Sequence, residues 1–510
     1  MVSRVATVAF KGMEAVPVDV QVHMASGVVA FSIVGLGDKA VAESKERVRA
    51  ALSAIGLALP ARRITVNLAP ADLPKEGSHY DLPIAIGLMA AMGLLPMDFV
   101  NRYVVLGELS LDGKVEPVNG VLPAAMAANA RDLGLICPEE CGPEAAWAAD
   151  DLDILAVRSL VQVLNHMKGT QVLSPPRAKI ADQAIALPDL KDVKGQETAK
   201  RALEVAAAGG HHLLMVGPPG AGKSMLASRL PSILPPMEAA EMLEVSTIAS
   251  VAGELRSTGL TTVRPFRAPH HSASQAALVG GGHRALPGEM VLAHNGVLFL
   301  DELPEFQPRA LEALRQPMES GEAVIARANH HVSYPARFQL VAAMNPCKCG
   351  MAGEPGHVCK RGPRCSTDYQ ARISGPLLDR IDIQIELAAV RASDLTLPPP
   401  SEGSAEVAAR VAAARAIQRD RFAALGVAGV RTNAQLDGAL LEQLARPDEQ
   451  GLALLGNAAE ALNLSARGYH RILRLARTLA DMDGRETVSR INVAEAISYR
   501  QKLASFLVAA

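Results

Sequence analysis

Cysteine is scarce in this chain, net charge is close to nil, tryptophan occurs once, and no apolar run is long enough to span a bilayer. Six cysteines in 510 residues are too sparse for a disulfide scaffold. Four of them crowd into MNPCKCGMAGEPGHVCKRGPRC, residues 344–365, which suits metal ligation better than staples. A formal net charge of −2 supplies no global basic field, so any polyanion contact must come from a local patch or from assembled subunits. The lone Trp147 is too little for a base-stacking platform; packing within the front domain is the simpler expectation. The start, MVSRVATVAFKGMEAV, lacks an apolar core with a cleavage signal, and the most hydrophobic stretch, LPIAIGLMAAMGLLPM at 82–97, is broken by proline and glycine. These absences lead us to expect a soluble cytoplasmic protein with no membrane partner.

What is present fills several cores. The hydrophobic content is 49%, and the length allows roughly two to four domains. Alternating patterns such as VATVAF and RRITVNLAP, interleaved with helical runs, predict an α/β or α+β domain over 1–167. A polar, proline-containing stretch at 168–188 reads as a linker. Short apolar strands alternating with helices over 189–390 predict a mostly parallel sheet covered on both faces. LPPPSEG at 397–403 breaks this pattern, and the alanine-, leucine- and arginine-rich sequence from about 404 predicts a helical C-terminal domain, bounded at 391–510.

The most specific motif is GPPGAGKS, comprising Gly217, Pro218, Pro219, Gly220, Ala221, Gly222, Lys223 and Ser224. It follows the apolar run LLMV and precedes a helical MLASRL, the context a phosphate-binding loop requires. Its glycines let backbone amides curl around phosphates. Lys223 is expected to reach the β- and γ-phosphates of ATP and Ser224 to bind Mg²⁺. GVLFLDE then ends an apolar strand in two carboxylates: Asp301 toward Mg²⁺ and Glu302 toward the attacking water. FQLVAAMNP places Asn345 at another strand end, where its amide can position water and sense the γ-phosphate.

Arginines complete the candidate set. SGPLLDRID puts Arg380 between an apolar turn and a predicted strand, suited to a neighbouring subunit's nucleotide, with Arg372 as the alternate. In NLSARGYHRILRLARTLAD, Ser465 is a helix cap and Arg467, Arg471 and Arg474 share one face, with Arg477 near its edge. Arg467 or Arg474 can turn toward phosphate while Ile472, Leu475 and Leu479 pack; a solvated helix face is the alternative.

Together these segments resemble an AAA+ ATPase of the magnesium-chelatase-like class. RPFRAPHHSASQAALVGGGHRALPGEMVLAHNGVLFLDELPEF, 264–306, makes the chain most similar to the ComM/YifB branch, over nearly its whole length. The resemblance implies a P-loop AAA+ core and a helical lid. It also implies a homohexamer that acts on single-stranded or branched DNA, with recombination proteins as partners and branch migration during recombination or natural transformation as the task. It gives Lys223, Ser224, Asp301, Glu302 and Asn345 to one subunit, with Arg380 as the finger in trans and Arg467 as second sensor. A ring multiplies a few basic residues sixfold. ESGEAVIARANHHVSYPARF resembles the hairpin of this class, making Arg327, His330 and His331 candidate DNA contacts, while His270 and His271 lie in the PHH signature.

The front segments APADLPKEGSHYDLPIAIGLMAA and VVLGELSLDGKVEPVNGVLPAAMAA resemble those carrying the serine–lysine pair of Lon-type proteases. Here His79 stands at the nucleophile position, Ser78 one place early, and Leu122 at the lysine position, so a Lon-protease-like domain without proteolysis is expected. Lys75, Arg62 and Arg63 are its contact candidates. A magnesium-chelatase-type energising subunit and a protein-remodelling or protease-associated ATPase are the alternative functions. Cys137 and Cys141 read as inert thiols. Cys347, Cys349, Cys359 and Cys365 supply four soft ligands for structural Zn²⁺, with His357 as a substitute and metal-free loop cysteines as the alternative. Lys348, Lys360, Arg361 and Arg364 make that loop basic.

Overall fold

The computed structural model describes residues 2–178, 186–255, 260, 262–282, 285–327, 330–352, 359, 362, 364–396, 398, 400–427 and 429–500. Strict alternation in VSRVATVAFK and EAVPVDVQVHMA pleats the strands Val2–Lys11 and Glu14–Ala25, which pair antiparallel with Val5 opposite Val20. They form the middle of a seven-stranded mixed sheet whose edges are Ala30–Val34 and Ile154–Val157. The helix Asp81–Ala91 is almost wholly apolar and packs on this sheet. Gly87 lets it sit close, since a Cβ there would lie 2.8 Å from Val22.

Residues of the second unit build five parallel strands. Their order is Phe266–Arg267, Val297–Leu300, Gln339–Met344, Leu213–Val216 and Ile383–Glu386. Leu213–Val216, Val297–Leu300 and Gln339–Met344 are buried on both faces, which explains their continuous apolar runs. All loops that follow these strands therefore emerge at one edge, where ligands of such sheets bind.

The last unit is helical. Ser404–Ala424 packs on Glu197–Gly209, and Ala466–Met482 packs on both and on Arg490–Ser498. Ser465 caps Ala466–Met482 by accepting from the Gly468 amide at 3.0 Å. Within that helix Arg471, Ile472, Leu475, Arg477 and Leu479 are buried, so its arginine face is largely internal.

The front unit is joined to the second by buried contacts. The Glu144 carboxylate accepts from Ser250 Oγ and, at 3.0 Å, from the Leu122 amide. Leu122 itself packs on Leu255 and Leu260, with Trp147 against the same cluster. Trp147 thus belongs to the junction between units rather than to the front domain alone. No helix among the described residues is long and apolar enough to cross a membrane.

Candidate active site

Three strand ends converge on one cavity of about 630 Å³, lined by Gly220, Lys223, Ser224, Asp301, Glu302 and Asn345. Gly220 and Gly222 stand at φ of 79° and 87°, a region where a side chain would be strained. Gly217 is required for closeness instead, because a Cβ there would meet the Leu387 carbonyl at 2.7 Å. Lys223 donates to the Gly217 carbonyl at 2.7 Å, the Pro218 carbonyl at 2.9 Å and Asn345 Oδ1 at 3.0 Å. Burial holds its ammonium below the usual lysine range, opposed by the charges of Asp301 and Glu302. A phosphate would replace these neutral acceptors with full charge.

Ser224 Oγ donates to Asp301 Oδ2 at 2.6 Å. A hydroxyl and a carboxylate side by side at the phosphate loop form an oxygen donor set suited to Mg²⁺, which keeps several waters and one carboxylate. Glu302 is half exposed, and His271 Nδ1 approaches its Oε2 to 3.2 Å. Motif reading missed this contact; the only sequence signal was the adjacent histidine pair. His270 instead bonds Ser272 at 2.8 Å. The far wall was also missed: Val193, Gln196 and Val390 line the cavity, and Gln196 donates to the Ala388 carbonyl at 2.9 Å. The two valines offer an apolar face to a base.

No arginine lines this cavity among the described residues. Arg380 is 3% exposed, donates to the Pro376 carbonyl at 2.7 Å, and also pairs with Glu319. Arg467 reaches the same Glu319 Oε1 at 3.6 Å, with its side chain 60% exposed. A second cavity, of about 600 Å³, opens there beside Glu319, Arg467, Gly296 and Gln339, at the starts of the strands. A four-residue strand spans roughly 13 Å, so these arginines are separated from their own chain's phosphate loop. The remaining arginines have other partners. Arg372 pairs with Glu305 at 3.0 Å and Arg471 with buried Asp382 at 2.5 Å. Arg474, considered as a phosphate ligand, instead donates to the Leu436 carbonyl at 2.6 Å.

The four sulfurs of Cys347, Cys349, Cys359 and Cys365 lie within 4.8 Å of one another. Tetrahedral zinc with bonds of about 2.3 Å sets sulfurs roughly 3.8 Å apart. Cys347 and Cys349 stand closer, at 2.8 Å, and Cys349 and Cys359 at 3.3 Å, so the four thiols are of the right type and number for a closed site that would spread them on binding metal. His357, Lys360 and Arg361 lie outside the described residues, as do the side chains of Arg327, His330 and His331; Lys348 and Arg364 are exposed. Cys137 and Cys141 are fully buried, and burial pushes the Cys137 thiol up.

In the front unit, His79 is buried and its Nε2 lies 2.9 Å from the Val8 carbonyl. Ser78 Oγ donates to Glu108 at 2.5 Å. With Leu122 packed at the junction, no lysine among the described residues stands where a serine–lysine pair needs one, and the group beside Ser78 is the Glu108 carboxylate. Lys75, named above as a contact candidate, is buried and donates to the Pro70 carbonyl, so it offers no surface. Arg62 and Arg63 are exposed.

Family comparison covers the same three units. The model described as magnesium chelatase, subunit ChlI, matches residues 189–395. Subunit ChlI of Mg-chelatase matches 20–141, and the subunit ChlI C-terminal model matches 401–500. The chain is 43% identical to Competence protein ComM of Haemophilus influenzae over 96% of its own length and 95% of the relative's. It is 41% identical to YifB of Escherichia coli over 98% and 97% respectively. Lon protease 2 of Bacillus subtilis matches at 29% identity over 134 residues, 26% of this chain and 23% of that protein. Near-full-length likeness of this degree, together with the three matched models, shows that the chain belongs to the ComM/YifB branch of the magnesium-chelatase-like AAA+ ATPases.

Proposed function

We propose that this protein is an ATP-hydrolysing homohexameric motor acting on single-stranded or branched DNA, promoting branch migration in homologous recombination or natural transformation. The observation that carries the reading is the division of the site. One edge of the protomer holds a phosphate cradle with no arginine among the described residues, while Arg380 and Arg467 meet at Glu319 on the other. In a ring, each nucleotide then lies between one subunit's cradle and its neighbour's arginines. Release from the Glu319 carboxylate frees the Arg467 guanidinium for the phosphates, and Arg380 reaches them by leaving the Pro376 carbonyl as well.

Ser224 and Asp301 hold Mg²⁺, which when bound neutralises phosphate charge. Lys223 exchanges its carbonyl and Asn345 acceptors for the β- and γ-phosphates. Glu302 takes the proton of the attacking water, and Asn345 orients that water against the γ-phosphate. Similarity to a protein named for competence supports the recombination setting. The hairpin Glu322–Arg327 with His330–Pro335 is the proposed DNA contact. Cys347, Cys349, Cys359 and Cys365 hold a structural Zn²⁺.

ATP turnover measured with and without four-way or forked DNA tests this. The expected result is DNA binding and stimulated turnover; unstimulated turnover without DNA binding contradicts the motor reading.

A further inference from the structure

The four-cysteine loop and the nucleotide cavity share a wall. Strand Gln339–Met344 runs directly into Asn345, Pro346 and Cys347, with Cys347 fully buried. The Met344 carbonyl accepts from the Gly217 amide at 3.2 Å, and Asn345 Oδ1 accepts from Lys223 at 3.0 Å. On the other side, the Pro346 carbonyl accepts from Ser366 at 2.8 Å and Gln370 at 3.1 Å, tying it to the helix that carries Cys365. Gly350 closes the circuit. Its φ is 87°, and a Cβ there would fall 2.7 Å from Cγ of Pro219, a residue lining the cavity. The thiol loop thus lies flush against the phosphate loop.

We propose that a soft divalent cation held by Cys347, Cys349, Cys359 and Cys365 controls nucleotide binding, by pinning the loop that positions Asn345 and backs Pro219. This rests on the zinc reading above and extends it from a local staple to control of the ATP site. The physical reason is the short path: Cys347 is two residues from Asn345, and Cys349 adjoins Gly350. Without the metal, four thiols impose no fixed geometry, so Cys347 and Cys349 lose the ligation that fixes them beside Asn345 and Gly350, leaving only the Pro346 bonds to Ser366 and Gln370 on that side. Asn345 and Pro219 then lose their support together.

The test uses the full-length protein with Mg²⁺ in excess throughout. Bound metal is counted by elemental analysis, and affinity is read by titration with a fluorescent ATP analogue. The wild type is expected to carry one zinc per chain. Cys359→Ser is expected to lose it and to bind nucleotide on the order of tenfold more weakly. Gly350→Ala is expected to keep the zinc and show a comparable loss, because its Cβ presses on Pro219. To guard against misfolding of the cysteine variant, zinc is also stripped from the wild type with a zinc-selective chelator. Readdition of zinc restores affinity if the proposal holds. Stoichiometric zinc whose removal leaves affinity unchanged overturns the control of the ATP site alone. Absence of zinc from the wild type overturns the zinc reading with it.

Discussion

Glu302 adopts φ of 52°, a left-handed conformation that costs a non-glycine residue on the order of 1–3 kcal/mol. It is retained because the turn aims the carboxylate into the cavity, where the Glu302 amide donates to Asp301 at 2.9 Å and His271 meets the side chain. Two outcomes follow at this scale. Glu302→Gln is expected to bind ATP normally while turnover falls roughly a hundredfold or more; unchanged turnover removes its role as base. His271→Ala is expected to lower turnover on the order of tenfold by letting Glu302 wander, leaving nucleotide affinity intact. The Glu302 motif was legible because its chemistry sits in one contiguous run. The His271 contact was not, because a loop far back in the chain delivers that ring and no periodicity marks it.

Among elements, helix Ala466–Met482 shows how far a face can mislead. Its arginines repeat at helical spacing, yet Arg471 and Arg477 are buried and matched, leaving Arg467 exposed at the first turn. Asp481, itself buried, accepts from Arg477 at 2.8 Å, Asn433 at 2.7 Å and Arg421. Asp481→Ala leaves two guanidiniums without their anion and is expected to cost about 3–5 kcal/mol, read as a lower urea midpoint for the helical unit. An unchanged midpoint would mean water replaces the carboxylate. Helix existence was readable from composition and the Ser465 cap. Which arginines turn inward depends on Asp382 and Asp481, partners that helical periodicity alone does not identify.

Across the whole molecule, the two positions that the Lon-type resemblance singled out, His79 and Leu122, are packing residues. Leu122 seals the junction with Leu255 and Leu260, and His79 is buried against the Val8 carbonyl. That a histidine and a leucine stand at these positions was legible residue by residue; how Leu122 packs required the neighbouring unit. The turn at Gly12 rests on the hairpin in the same way, since a Cβ there would meet Val332 at 2.5 Å. The front unit therefore touches both the hairpin and helix Ala239–Ala252, through Ser250.

The central claim is that each hydrolytic site is shared by two subunits, a cradle from one and arginines from the next. Mixing Lys223→Ala with Arg380→Ala protein tests it directly. Each variant alone is expected to be inactive, and the mixture to recover part of the wild-type ATP turnover, because some interfaces pair an intact cradle with an intact arginine. Full turnover by Arg380→Ala alone, or no recovery on mixing once mixed rings are shown to form, would contradict it.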